Sequence, residues 1–288
     1  MTPGRGLALG VDWQPVPQIK ASDGSVIGIE PLMHYSAKVR FPLLLHKRLK
    51  LIGGLGWSRM RLGQAPSRRQ APGEPISSLE GKGFKTLESR LYAMYALNEQ
   101  DYLRFRAAYN REGVFDGWGG EGLTNQPVSL GGLWIHKSSQ RLEWGLGLFG
   151  EAARNGATVV PAALVNYNIT KRWGLEARLP SYVRLRHRPH RNGVFYLGLR
   201  GRRDRFWQAS APAAQRPGAR LRYFEHRYLD LEAEWSHCWW PMVWTSLRGG
   251  YHYSLGLRTD WSEAPRAAPQ RIGDGWFLGM EISLRPPR

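Results

Sequence analysis

Two kinds of residue in this 288-residue chain could do chemistry: arginines repeated at alternate positions, and a handful of histidines in its second half. Of the 41 basic residues 33 are Arg and 8 are Lys. A guanidinium presents a planar fork that matches carboxylate and phosphate two bonds at a time, so this bias points to anion contacts rather than to general solubility. One set falls within extended alternation: Lys38, Arg40, Arg90, Arg104, Arg106, Arg178, Arg184, Arg186 and Arg248, interleaved with Glu176, Asp230, Glu232, Glu234 and Glu281. A second set is expected in loops: Arg59, Arg61, Arg68, Arg69, Arg202, Arg203, Arg205, Arg216 and Arg220. The histidines carry less. His187-Arg188-Pro189-His190-Arg191-Asn192-Gly193 has no serine between its His and Asn-Gly, so a lipid hydrolase would lack its nucleophile there, and Asn-Gly reads as turn chemistry. His226, His237 and His252 do not have the spacing of a metal site, the Gly117-Trp118-Gly119-Gly120 and Gly53-Gly54 strings are too short for phosphate loops, and Cys238 between His237 and Trp239 reads as a small apolar residue. No catalytic residue, metal or cofactor is expected.

The elements that must position these groups follow a period of two. Met33, Tyr35, Ala37, Val39 and Phe41 alternate with His34, Ser36, Lys38 and Arg40, and Leu103, Phe105, Ala107 and Tyr109 alternate with Arg104, Arg106 and Asn110. The same parity returns in Trp173–Leu179, Phe195–Arg200, Leu229–Trp235 and Trp276–Leu284. No segment shows an amphipathic helical stripe of useful length. The chain is therefore predicted to be all-β.

Short polar turns are expected at His46–Arg48, Asn98–Asp101, Ser138–Arg141, Thr170–Arg172, Pro189–Asn192 and Ser236–Trp240. Longer connections rich in Gly, Pro, Ser or Arg are expected at Gln14–Ile27, Gly63–Gly83, Gly113–Pro127, Ala152–Ala157, Arg203–Gly218 and Asp260–Gly273. Short turns at one end and long loops at the other describe an up-and-down meander. The count is about 12 to 14 strands. Splitting Trp173–His187 at Leu179-Pro180-Ser181, where proline cannot donate to a ladder, keeps the alternation in phase and favours 14.

Which solvent meets the apolar face decides between two classes. A soluble β-sandwich would bury it, and its basic surface, with a net charge of +18 and a pI near 10.5, would suit nucleic acid or another polyanion. Against this, the charge is spread over nearly every strand, and Trp and Tyr gather beside the short turns at Tyr95, Tyr102, Trp144, Trp173, Trp235, Trp239, Trp240 and Trp244, as a headgroup-level girdle requires. A mean hydropathy of −0.45 without a long apolar run excludes membrane-crossing helices and is what alternating strands produce. The expectation is one antiparallel transmembrane β-barrel over residues 1–288, with the first arginine set in the lumen and the second on outer loops beside lipopolysaccharide phosphates.

Within this pattern, Pro161 to Gly201 resembles the core of an uncharacterised Gram-negative outer-membrane β-barrel family described as a domain of unknown function: Leu164-Val165-Asn166-Tyr167-Asn168-Ile169, then Lys171-Arg172-Trp173-Gly174-Leu175-Glu176-Ala177-Arg178-Leu179-Pro180, then a basic strand. The resemblance implies a barrel in the bacterial outer membrane and brings no catalytic residues. No export signal is visible in the first residues of the chain. The functional expectation is a non-enzymatic, porin-like passive channel with a cationic lumen, passing small anionic solutes. Nucleic acid is not an expected partner; the soluble polyanion-binding protein and an outer-membrane lipid hydrolase are the alternatives.

Overall fold

The computed structural model describes residues 6–14, 18–21, 26–28, 32–61, 83–113, 126–153, 156–207, 221–261 and 269–284. Its strands are, in order, β1 (Gly6–Gln14), β2 (Gln18–Ala21), β3 (Val26–Gly28), β4 (Leu32–Leu45), β5 (Leu49–Arg61) and β6 (Gly83–Ala96). These are followed by β7 (Asp101–Gly113), β8 (Val128–Lys137), β9 (Leu142–Ala153), β10 (Gly156–Tyr167), β11 (Trp173–Leu179) and β12 (Tyr182–His190). The last are β13 (Gly193–Trp207), β14 (Leu221–Trp240), β15 (Val243–Trp261), β16 (Pro269–Ile272) and β17 (Gly275–Leu284). Fourteen of them close a single antiparallel barrel in chain order, sealed where β1 pairs with both β17 and β4. The other three, β16, β2 and β3, form a small separate sheet.

Sequence and geometry agree on why the turns are tight at one end. Asn98 Oδ1 accepts the backbone N–H groups of Gln100 and Asp101, at 2.8 and 2.6 Å. Ser139 Oγ does the same for Arg141 and Leu142, both at 3.1 Å, and Thr170 Oγ1 for Arg172 and Trp173, at 3.2 and 3.0 Å. A short polar side chain that takes up its own turn's donors lets the chain reverse in a few residues. The proposed break in Trp173–His187 is real: Leu179 ends β11 and Tyr182 begins β12, around a cis Leu179–Pro180 bond.

Three expected connections are corrected. Ser236–Trp240 is strand, since His237 pairs with Thr245 and Cys238 with Trp244, and the reversal comes at Pro241-Met242. Ala152–Ala157 is not a long loop, because β9 and β10 stay paired up to Ala153↔Gly156. Arg203–Trp207 continues β13, paired with Tyr223–Arg227.

The apolar face points out. Leu9, Leu55, Leu130, Leu146, Leu148, Leu197, Leu247 and Leu278 are all exposed, Leu148 at 61%, while their alternating neighbours are covered. A band of this size running round the barrel is incompatible with water and suits hydrocarbon. Aromatic side chains flank it. Trp134 packs edge-on against Trp144, Trp173 against His187, and Trp239 and Trp240 stand exposed at the short-turn end, while Tyr109, Tyr253 and Trp276 lie toward the other. Inside, the wall is closely drawn at some strands: a Cβ on Gly147 would sit 1.9 Å from the carbonyl oxygen of Gly132.

Candidate functional site in the lumen

All of the lumen candidates lie on the inner face, because the parity that puts leucine in the lipid puts its neighbours inside. They do not form one uniform ring. On β11 and β12, Glu176 is shared by two arginines: Arg184 donates to Oε2 from Nε and Nη2 at 3.1 and 2.8 Å, and Arg186 donates to Oε1 at 3.0 Å while its Nη2 donates to Asn168. Arg184 also stacks over Tyr196, 3.8 Å from the ring centroid. Glu88 bonds Arg90 and faces Arg106 at 3.7 Å.

A second network crosses the seam. Asp12 of β1 receives Nε of Arg248 at 2.7 Å and a second bond from the same guanidinium, and His34 approaches to 3.6 Å. Room for this pair comes from Gly279, where a Cβ would meet Asp12 Oδ1 at 2.0 Å. Arg200 pairs with Glu232 at 2.6 Å and Arg202 with Asp230 at 3.0 Å. His252 Nδ1 lies 2.9 Å from Asp230, and His226 Nε2 lies 3.1 Å from Ser254. His226 and His252 thus meet, with ring centroids 5.2 Å apart, and each engages a different residue. His237 lies elsewhere, against His190 and Trp239.

Glu143 accepts from Tyr102 and Asn166, and Glu234 accepts from Ser236 at 2.9 Å. Among the described residues no carboxylate comes within ion-pair distance of Lys38, Arg40, Arg104 or Arg178. Glu281 attracts Lys38 from farther away.

The loop assignment of several arginines is corrected. Arg59 and Arg61 belong to β5, and Arg202, Arg203 and Arg205 to β13, while Arg68, Arg69, Arg216 and Arg220 lie outside the described residues. Arg203 makes a two-bond pair with Glu225, both at 3.0 Å, and Arg205 one with Glu151, at 2.5 and 2.9 Å, with Glu112 at 3.7 Å. The partners reveal the path of β13. Its pairing with β14 is unbroken, so Arg203 and Arg205 share the face of the lipid-exposed Leu197 and Leu199. Glu151 and Glu112 are on the inner faces of β9 and β7. An outer-face arginine can reach them only where the strand has left the wall and entered the lumen.

The opposite face agrees, since Arg202 comes within 3.9 Å of Asp12 on β1, four strands away, a separation of roughly 19 Å along an undistorted wall. The turning point is marked twice. β12 stops pairing at Tyr182↔Arg200, and the β14–β15 ladder has a bulge at Arg227/Tyr228, which bends a strand and tightens its twist. The upper β13–β14 hairpin therefore crosses the mouth of the barrel. The sequence signal was present: Arg203 and Arg205 continue the parity of Leu197 and Leu199, a position where a cation cannot face lipid.

Against known proteins, residues 124–235 match the family model described as Domain of unknown function (DUF6268). The match runs from β8 into β14. It contains the whole Pro161–Gly201 resemblance and leaves β1–β7 and β15–β17 outside. Among solved structures, the COG4313 outer membrane channel from Pseudomonas putida F1 is 13% identical, covering 98% of this chain and 96% of its own, with a TM-score of 0.46. The P. putida toluene transporter TodX is 10% identical over 100% and 91%, TM-score 0.42, and the translocator domain of autotransporter NalP from Neisseria meningitidis 12% over 99% and 90%, TM-score 0.40. Likenesses at this level carry no argument about solute or mechanism. No curated protein matches the chain.

Proposed function

We propose that the protein is a non-enzymatic channel of the bacterial outer membrane whose lumen favours small anions. The observation that carries this reading is the asymmetry of the inner face. Its acids are engaged by arginines, by Tyr102, Asn166 and Ser236, or lie near Lys38, whereas Arg40, Arg104 and Arg178 have no carboxylate within reach among the described residues. Fixed cations without counter-charges lower the barrier to an anion and raise it to a cation. The Arg–Glu networks fill space and brace the wall, and the inward hairpin narrows the mouth. Bilayer lipid is the partner of the outer belt.

The test is the zero-current potential of the purified protein in planar bilayers under a potassium chloride gradient. A potential of the sign set by chloride is expected. Equal permeability of the two ions overturns the anion-selective reading.

A further inference from the structure

We propose that the outer face of β5–β7, at the long-loop end, holds one phosphorylated saccharolipid of the outer leaflet, a lipopolysaccharide, with phosphate between Arg59, Lys85 and Arg111 and an acyl chain in the apolar groove beneath them. The proposal rests on the barrel sitting in an outer membrane with its long loops outward, but not on its conducting ions.

The register gathers these three cations into one patch. Leu55 is exposed on the lipid side, so Trp57 and Arg59, two and four residues further along β5, share its face. Arg59 is paired with Lys85 of β6, and Leu87, two residues on, is paired with Arg111 of β7. Arg111 is therefore the diagonal neighbour of Lys85, roughly 7–8 Å away along the sheet. Like charges directly opposite one another are unfavourable in a sheet. The acids in the upper halves of β6 and β7 face the other way: Glu88 bonds Arg90 inside the barrel, and Glu112 lies 3.7 Å from Arg205. Nε of Arg59 is covered and has no hydrogen-bond partner among the described residues. An anion arriving from outside offsets the repulsion, and a guanidinium fork suits phosphate.

The patch sits at headgroup level. Tyr35 stands opposite Arg59, Tyr109 lies two residues before Arg111, and both rings are exposed at this end of the barrel. Directly below, Ala37 and Ser89 are small among Val39, Leu55, Leu87 and Tyr109, and leave a groove of about 420 Å³ that runs from Arg111 on β7 to Leu7 on β1. On β1 and β17 the outward positions at the same end include Trp13 and Trp276, so the next sector is aromatic where this one is cationic. An apolar groove leading up to three cations fits neither a neutral lipid nor a water-soluble phosphate. The cations span three strands, about 10 Å, which is wider than the single phosphodiester of a diacyl phospholipid and suits a phosphorylated sugar head.

The experiment uses the full chain, refolded in dodecyl maltoside and checked by its heat-modifiable gel mobility. It is mixed with equal amounts of phosphatidylglycerol and of lipid A carrying both its phosphates, and the complexes are read by native mass spectrometry. The expected result is one lipid A retained per barrel in preference to phosphatidylglycerol. Retention should fall at least about tenfold in the Arg59→Gln, Lys85→Gln, Arg111→Gln triple variant, the equivalent of roughly one charge-assisted hydrogen bond. Ser89→Trp fills the groove while keeping every cation; it should lower retention too, and it keeps the test valid if the triple variant fails to fold. Lys47→Gln with Arg48→Gln removes exposed cations at the short-turn end and should leave retention unchanged. Unaltered retention in the triple variant or in Ser89→Trp overturns the proposal, as does an equal loss in the Lys47 and Arg48 variant. So does equal retention of phosphatidylglycerol, which would make the patch a general belt for anionic lipid, or of lipid A stripped of its phosphates. Failure of ion conduction in bilayers would overturn the channel reading and leave this result standing.

Discussion

Replacing Glu176 by Ala should be among the most damaging single changes in the lumen. Glu176 is buried and receives three hydrogen bonds from two guanidinium groups, two from Arg184 at 3.1 and 2.8 Å and one from Arg186 at 3.0 Å. Removing one partner from a buried charged group costs about 3–5 kcal/mol, because the remaining charge is left uncompensated. Arg186 keeps Asn168 and Arg184 keeps its stacking on Tyr196, so a cost of about 2–4 kcal/mol is reasonable. Glu176→Gln retains an acceptor without the charge and should cost roughly half as much. Equilibrium urea unfolding in lipid vesicles, followed by Trp fluorescence, measures both. The control is Glu234→Ala, whose side chain accepts the Ser236 hydroxyl at 2.9 Å and has no arginine within ion-pair distance among the described residues. If Glu176→Ala destabilises no more than Glu234→Ala, the shared carboxylate is not what braces the short β11–β12 hairpin.

Further outcomes follow from the same geometry. Arg205→Ala removes the two-bond pair with Glu151 and leaves Arg203 at 3.5 Å from that carboxylate, so the hold of the β13–β14 hairpin across the mouth weakens and single-channel conductance should rise; unchanged conductance would mean that the hairpin is held by other contacts. Leu148→Arg, at an outward position 61% exposed, should cost about 2–4 kcal/mol if it faces mid-bilayer, measured by the same unfolding assay, and almost nothing if it faces water. Gly279→Ala should displace the Asp12 carboxylate, whose Oδ1 lies 2.0 Å from the new Cβ position, and hydrogen exchange at the β1–β17 seam should accelerate. The protein should also need detergent for extraction and run faster on gels before heating than after, as a closed barrel does.

Much of this architecture was legible because a strand's two faces alternate whatever the rest of the fold does. Lys38 and Arg40 could be placed opposite Val39 and Phe41, and the Leu179-Pro180-Ser181 break found, from local pattern alone. The path of β13 was not legible in that way. Arg203 and Arg205 read as loop because four arginines within Arg200–Arg205 look solvent-bound, and the carboxylate that draws Arg205 inward, Glu151, is 54 residues away. The small β16-β2-β3 sheet was missed for a related reason: four and three residues are too few to show a period, and its strands come from distant parts of the chain. Ser236–Trp240 looked like a turn from its His-Cys-Trp-Trp run, yet the ladder continues to Trp240↔Val243 and it is Pro241, without an N–H, that ends it.

The central claim is a barrel with lipid outside and a charged, wet interior. Nitroxide labels placed singly along successive strands in a reconstituted bilayer test it most directly. Labels at Leu55, Leu130, Leu148, Leu197 and Leu247 should collide with oxygen dissolved in the bilayer and be shielded from a water-soluble paramagnetic complex. Labels at Lys38, Arg104 and Arg178 should show the reverse. Outer-face positions relaxed by the aqueous reagent would contradict the account.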